Sequence, residues 1–241
     1  MKILANDGLS AKAIKTLEGA GFEVLTTKVA QNQLASFINE AQIEILLVRS
    51  ATQAKKDLID ACPSLKLIGR GGVGMDNIDV AYAREKDIKV INTPNASSHS
   101  VAELTFAHLF SGVRFLYDAN RNMPLEGDSH FNELKKAYAN GQELKGKTLG
   151  IIGLGRIGKA VATIALGLGM EVIAYDPEQK EVSITLSFFD GRSLDFVIKT
   201  ISKEEVLKQA DFITLHIPAQ KEAVIGEKEF QLMKDGVGII N

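Results

Sequence analysis

The chain has 241 residues, of which 45% are hydrophobic, and it carries 28 basic and 30 acidic residues for a net charge of −2. That is enough apolar material for one large core or two smaller ones, and the charge balance argues against nucleic acid or an anionic membrane as a partner. The single cysteine, Cys62, excludes an internal disulfide and fits a reducing cytoplasm. The opening residues, MKILANDGLS, lack the apolar centre of a signal peptide. No stretch approaches the ~20 apolar residues of a membrane-crossing helix. Lys2 to Ala5 reads as a short buried strand, and Ser10 as the N-cap of a helix through Ala20 that Gly21 ends. Phe22 to Thr26 is the next strand, followed by a helix over 34–40 and a strong strand, Ile43 to Val48, with Arg49 and Ser50 just past its carboxyl end. A helix over 55–61 contains the run up to Cys62, which reads as packing rather than as a nucleophile. Leu65 to Gly69 is a fourth strand, Gly71 to Gly74 a glycine loop, 79–86 a helix and Ile88 to Asn92 a fifth strand. Strands alternating with helices at this spacing imply a parallel sheet covered on both faces.

Asn92-Thr93-Pro94-Asn95 breaks the alternation, so the expected domains are 1–93 and 94–241. Ser100-Val101-Ala102-Glu103 reads as a capping box. It opens a helix over 101–120 that is apolar on most faces and is expected to be buried between domains or between subunits. A polar stretch with scattered aromatics, 123–140, leads to the most informative run in the chain, Lys147 to Asp176.

That run is strand, tight turn, helix, strand, acid: Thr148 to Ile152, then Gly153-Leu154-Gly155-Arg156-Ile157-Gly158, a helix to Leu168, the strand 171–175, and Asp176. Gly153 allows the sharp turn, Gly155 lets a pyrophosphate approach the backbone, and Gly158 lets the helix pack against the strand. Arg156 and Ile157 contribute backbone N–H groups at the positive end of the helix. Asp176 lies close to the roughly 20 residues past the turn expected of an acid that holds a ribose diol, and it favours NAD because it repels a 2′-phosphate. Beyond it, Val182 to Phe189 and Leu194 to Ile201 read as a hairpin turned by Asp190-Gly191. Ser202 and Glu205 form a capping box, 212–215 is a strand that ends in His216-Ile217-Pro218, 227–234 is a helix, and 237–240 is a last strand.

Five stretches together resemble the D-isomer-specific 2-hydroxyacid dehydrogenases: Arg49-Ser50, GRGGVGMDNID (69–79), NTPNASSHSVAEL (92–104), LKGKTLGIIGLGRIG (144–158) and ADFITLHIP (210–218). The nearest branch oxidises 3-phosphoglycerate and serves serine biosynthesis. The resemblance implies an α/β fold of two doubly wound parallel-sheet domains, one flavodoxin-like and one Rossmann-like, with a cleft between them. It implies NAD as cofactor, a small 2-hydroxy or 2-oxo acid as substrate, no metal, and a cytoplasmic homodimer formed through the 101–120 helix. Gly72, Val73 and Gly74 match the loop that holds the substrate carboxylate; from the residues alone that loop reads equally as a tight strand-to-helix turn. Arg49 and Ser50 match the pair that binds the substrate phosphate, for which a guanidinium fork is suited. Val101 matches a position against the nicotinamide ring, and His216, Ile217 and Pro218 match the wall beside the adenosine half.

Two departures accompany the resemblance. The family's substrate-binding arginine and its glutamate–histidine pair lie past the segment that matches 237–241, so they have no counterpart here, nor do the last strands of the nucleotide domain and the segment that returns to the first. His99, His108, His130 and His216 do not fall at the general-acid position, and none is assigned to it. The 182–201 hairpin is longer than the turn that usually follows the acid. Two other readings stand beside the phosphoglycerate one: a glyoxylate or hydroxypyruvate reductase, and a non-catalytic NAD-binding module.

Overall fold

A computed structural model describes residues 1–218 and 220–241. The chain divides into two compact units, Met1–Ser97 and Ser98–Asn241.

In the first unit, β1 (Lys2–Ala5), α1 (Ala11–Gly19), β2 (Glu23–Leu25), α2 (Leu34–Ala41), β3 (Ile45–Val48), α3 (Lys56–Ala61), β4 (Leu67–Arg70), α4 (Val80–Glu85) and β5 (Lys89–Asn92) alternate as the apolar runs require. The five strands form one parallel sheet in the order β2-β1-β3-β4-β5. This is the flavodoxin-like order, and its switch point lies between β1 and β3. Leu4, Leu46 and Ile68 from the sheet and Leu34, Ile38 and Ile43 beside it are fully buried and form the core. Ser10 caps α1 through the Ala13 N–H, and Gly21, at φ +86°, follows the end of that helix. Cys62 is buried in the same core, where burial pushes its thiol up to about 11. At that value the thiolate is scarce near neutral pH, as suits packing.

The second unit opens with α5 (Ser98–Val113), α6 (Leu116–Glu126) and α7 (Phe131–Ala137). The single helix expected over 101–120 is therefore two helices. The break is tertiary in origin: the Val113 carbonyl accepts from the Gln142 N–H at 2.9 Å, Phe115 turns to φ +53°, and its ring lies 6.1 Å from that of Tyr138. The helix also starts at Ser98, so Ser100 sits inside the first turn and is not the N-cap. Ala102, Phe106 and Leu109 of α5 are buried, while Leu104 and Phe110 are exposed, so the helix is buried on one side within this unit.

Next come β6 (Thr148–Ile152), α8 (Arg156–Gly167), β7 (Glu171–Tyr175), β8 (Glu181–Ser187), β9 (Ser193–Lys199), α9 (Lys203–Gln209), β10 (Phe212–Leu215), α10 (Glu227–Phe230) and β11 (Gly238–Ile240). The sheet is parallel in the order β11-β10-β6-β7. Its switch point lies between β6 and β10, where a ligand crevice is expected. The capping box of Ser202 and Glu205 is formed at α9, and α10 is shorter than the 227–234 helix expected.

The hairpin forms as a separate antiparallel ribbon, β8 on β9, in the register Val182↔Ile198 and Ile184↔Phe196. Gly191 makes the turn at φ +85°. Val182, Ile184 and Ile198 are buried and join the core that contains Ala160, Val161 and Ala165 of α8. After β9 the chain makes one parallel bridge, Ala174↔Thr200, so the base of the ribbon is tied to the edge of β7.

Candidate functional site

In the second unit the glycine turn leaves β6 at the switch point. Gly153 adopts φ +96°, and its N–H donates to the Tyr175 carbonyl at 2.8 Å. A Cβ on Gly153 would stand 2.6 Å from the His216 carbonyl oxygen, and one on Gly158 would overlap the Gly153 carbonyl oxygen. Gly155, the N-cap residue of α8, has open space where a Cβ would point, and no side chain caps that helix. The first-turn N–H groups of Arg156 and Ile157 are thus left to a ligand, with the positive end of the helix dipole behind them.

Asp176 closes this arrangement. Its Oδ2 accepts from the Leu154 N–H at 2.7 Å, and its Oδ1 from the N–H groups of Glu178 at 2.9 Å and Gln179 at 3.1 Å. Burial pushes its carboxyl up, but the N–H groups of Glu178, Leu154 and Gln179 outweigh that and hold it below the ordinary carboxylate range. A cavity of about 660 Å³ opens here, lined by Gly153, Gly155, Asp176, His216, Ile217 and Pro218 among others. These expected cofactor residues are brought together. Arg156, Ile157 and Gly158 follow in the first turn of α8, while Val101 lies in α5 and does not line this cavity. The His216 ring meets the Thr214 hydroxyl at 3.0 Å, and burial lowers its pKa, so it stands as a neutral imidazole near pH 7. An open glycine turn, an uncapped helix start and a carboxylate at one crevice fit a dinucleotide.

In the first unit the corresponding switch point holds Asp7 past β1 and Arg49 past β3. Asp7 organises the 49–52 loop: Oδ2 accepts from the N–H groups of Arg49 at 2.6 Å and Thr52 at 3.1 Å, and Oδ1 from the Thr52 hydroxyl at 2.7 Å. Burial raises the Asp7 pKa, but the Thr52 hydroxyl and the N–H groups of Arg49, Thr52 and Ala51 lower it further, to a net depression. Asn77 holds the same loop from the other side, its Nδ2 donating to the carbonyls of Arg49 at 2.8 Å and Thr52 at 2.7 Å. Arg49 and Ser50 are exposed.

A cavity of about 700 Å³ is lined by Asp7, Arg49, Arg70, Gly71, Asn92 and Thr93 with others, but not by Ser50, Gly72, Val73 or Gly74. Arg70 pairs with Asp76 at 2.6 Å through Nη1, while its buried Nε has no partner among the described residues. In the adjacent loop the Gly72 N–H donates to the Arg70 carbonyl at 3.0 Å. The Gly71 N–H donates to the Val48 carbonyl at 2.9 Å, which leaves Val73 and Gly74 as the loop's N–H donors without a backbone partner among the described residues. Asp7, Arg70 and Asn77 were not anticipated. The switch-point rule points at Asp7, because it lies two residues past the end of the first strand; Asn77 acts through a contact distant in sequence, and no local pattern reveals it.

The description "D-isomer specific 2-hydroxyacid dehydrogenase, NAD binding domain" fits residues 106–241. A hydroxypyruvate reductase of Thermotoga maritima is 38% identical over all of this chain and 73% of its own length. The chain belongs to the D-isomer-specific 2-hydroxyacid dehydrogenase family. A D-3-phosphoglycerate dehydrogenase of Methanocaldococcus jannaschii is 40% identical over all of this chain, which spans 43% of that protein. Among solved structures, an NAD+-bound 3-phosphoglycerate dehydrogenase of Entamoeba histolytica superposes with a TM-score of 0.72 at 29% identity, covering 99% of this chain and 70% of its own. In this family the domain that begins in α5 binds NAD, in keeping with the glycine turn and Asp176. No helix among the described residues is long and apolar enough to cross a membrane.

Proposed function

We propose that the protein is an NAD-dependent dehydrogenase that oxidises 3-phosphoglycerate at C2, an activity that would serve serine biosynthesis in the cytoplasm. NAD, when bound, accepts the hydride. The chain's own residues bind and orient. The glycine turn and the N–H groups of Arg156 and Ile157 hold the pyrophosphate, and Asp176 holds the adenosine ribose. His216, Ile217 and Pro218 wall the adenosine half, and Val101 packs toward the nicotinamide. In the other unit, Val73 and Gly74 donate to the substrate carboxylate, with Gly72 shaping the turn, and Arg49 with Ser50 takes the phosphate.

The observation that carries the phosphorylated substrate is the fixed backbone of Arg49, pinned by Asp7 at 2.6 Å and by Asn77 at 2.8 Å, beside a second guanidinium, Arg70, on one cavity. Arg49→Ala should weaken 3-phosphoglycerate binding roughly 10- to 100-fold, the factor of one charge-assisted hydrogen-bond pair, and leave glyoxylate binding unchanged. Equal affinity of parent and variant for the phosphorylated acid refutes the assignment. It would favour the hydroxypyruvate or glyoxylate reductase reading, which the Thermotoga maritima relative supports.

None of His99, His108, His130 or His216 is assigned as general acid. The 241-residue polypeptide is therefore expected to bind NADH yet turn over at least ~10²–10⁴-fold more slowly than a dehydrogenase that holds one. Robust turnover would refute this. A homodimer through the 101–120 region is part of the proposal: Leu104, Phe110, Leu116 and Tyr117 are exposed there. Leu104→Glu should shift sedimentation from dimer to monomer.

A further inference from the structure

The ribbon of β8 and β9 begins a few residues after Asp176, and the turn between Asp176 and β8 contains a side chain that the NAD reading above does not use. Gln179 lines the same cavity as Asp176. Its Nε2 donates to the Leu154 carbonyl at 3.1 Å, while the Leu154 N–H donates to Asp176. The two sides of the fully buried Leu154, in the middle of the glycine turn, are thus held by residues 176 and 179. Because only the NH₂ group of an amide can donate to a carbonyl, this contact also fixes which way the amide points. Its oxygen, Oε1, has no partner among the described residues.

A count of acceptors gives that oxygen a use. A ribose diol presents two O–H donors. A carboxylate offers about four lone-pair sites. Three of those on Asp176 are filled by the N–H groups of Leu154, Glu178 and Gln179. One remains, which serves one hydroxyl and leaves the other without an acceptor on Asp176.

We propose that Gln179 is a second ribose-binding residue of the dinucleotide site: its Oε1 accepts one hydroxyl of the adenosine ribose while Asp176 takes the other, and its Nε2 holds the glycine turn through the Leu154 carbonyl. The ribbon has a part in this. Thr200 at its base donates its hydroxyl to the Gln179 carbonyl at 2.7 Å, and its N–H donates to the Lys180 carbonyl at 3.0 Å. Ile201 then bonds to the Ala174 carbonyl at 2.9 Å. The returning strand thereby fixes the backbone of Gln179 against the edge of β7, so the amide is presented from a braced turn. The inference rests on the reading of 148–176 as the NAD site.

The test measures binding of NAD and of its two analogues lacking the adenosine 2′- or 3′-hydroxyl, by calorimetry, to the parent chain, Gln179→Leu and Asp176→Ala. Gln179→Leu should weaken NAD roughly 3- to 10-fold, the factor of one net hydrogen bond. With one of the two analogues the parent should lose a similar factor on removal of the hydroxyl, and Gln179→Leu should lose almost nothing further. A purely structural role would make the parent and variant lose the same factor with both analogues, and that result overturns the proposal. If Leu at 179 prevents folding, Gln179→Met takes its place with the same two outcomes. If the parent chain does not bind NAD, or Asp176→Ala binds it unchanged, the NAD-site reading itself falls. If that control weakens binding and the 179 variants do not, only the role of Gln179 falls.

Discussion

Two glycine-rich turns leave the carboxyl ends of parallel strands in this chain, one after β6 and one after β4, and their glycines answer different constraints. In the turn after β6 the backbone itself demands glycine. Gly153 adopts φ +96°, and a side chain on Gly158 would collide with the Gly153 carbonyl. In the 71–74 loop no glycine has a positive φ, and a Cβ on Gly72 would meet the Arg70 Nε at an ordinary 3.5 Å. The first turn is built on close packing of helix and strand. At Gly71 and Gly72 the second tolerates a side chain as far as the fold is concerned, so these glycines point to what must approach from outside, whereas a Cβ on Gly74 would press on the Asp76 Oδ1 at 3.1 Å.

The sharpest way to break that comparison is substitution. Gly158→Ala should show the largest effect, because the clash is with backbone, which cannot swing aside. Overpacking of this kind costs about 1–3 kcal/mol or more, and thermal unfolding should shift down by several degrees, with NADH binding lost as well. An unchanged unfolding midpoint would show that helix α8 can move away from β6 at little cost. Asp176→Ala comes next. It removes an acceptor shared by three N–H groups and should weaken NADH roughly 10- to 100-fold, as loss of a charged hydrogen-bond partner does; calorimetry showing parent affinity would remove it from the ribose site. Gly72→Ala should leave the unfolding midpoint within the scatter of surface substitutions, about 0.5 kcal/mol, yet weaken a 2-hydroxy acid several-fold. If it destabilises as Gly158→Ala does, the two turns are built alike and the contrast fails.

The same contrast separates what could be read in advance from what could not. Strands β1, β6, β7 and β10 lie where their apolar runs end in Asn6, Gly153, Asp176 and His216, since short buried strands are bounded by local breaks in hydrophobicity. The glycine turn was legible for the same reason: its constraint lies within six consecutive residues. The 101–120 helix was misjudged because its sequence stays compatible with a helix through Phe115. The break comes from Gln142 and Tyr138, which are remote in sequence. Asp7, Asn77 and Gln179 escaped notice on the same ground. Each acts on a loop that is adjacent only after folding, through bonds to Arg49, Thr52 or Leu154. The hairpin was visible as a hairpin, but its junction with β7 rests on the single bridge at Thr200, which no periodicity encodes.

The smallest expected effect concerns the rim of the β6 crevice, where His216 contacts Thr214. Burial lowers the His216 pKa from its ordinary 6.5. The folded state therefore resists a proton that the unfolded chain accepts. The stability this group contributes is complete above the unfolded pKa, near ~6.5, and is lost as the pH falls from there through the lower folded value. Asp176 and Asp7, also depressed, follow the same sign, but their window lies below the unfolded carboxylate value of about 4, so the two contributions separate on the pH axis. His216→Gln should flatten the decline in the unfolding midpoint between about pH 7 and pH 5 while leaving the steeper loss below about pH 4 in place. Parallel profiles for parent and variant across the upper window would show that the ring is protonated as easily in the fold as outside it, and that the crevice wall at β10 is wetter than its packing implies.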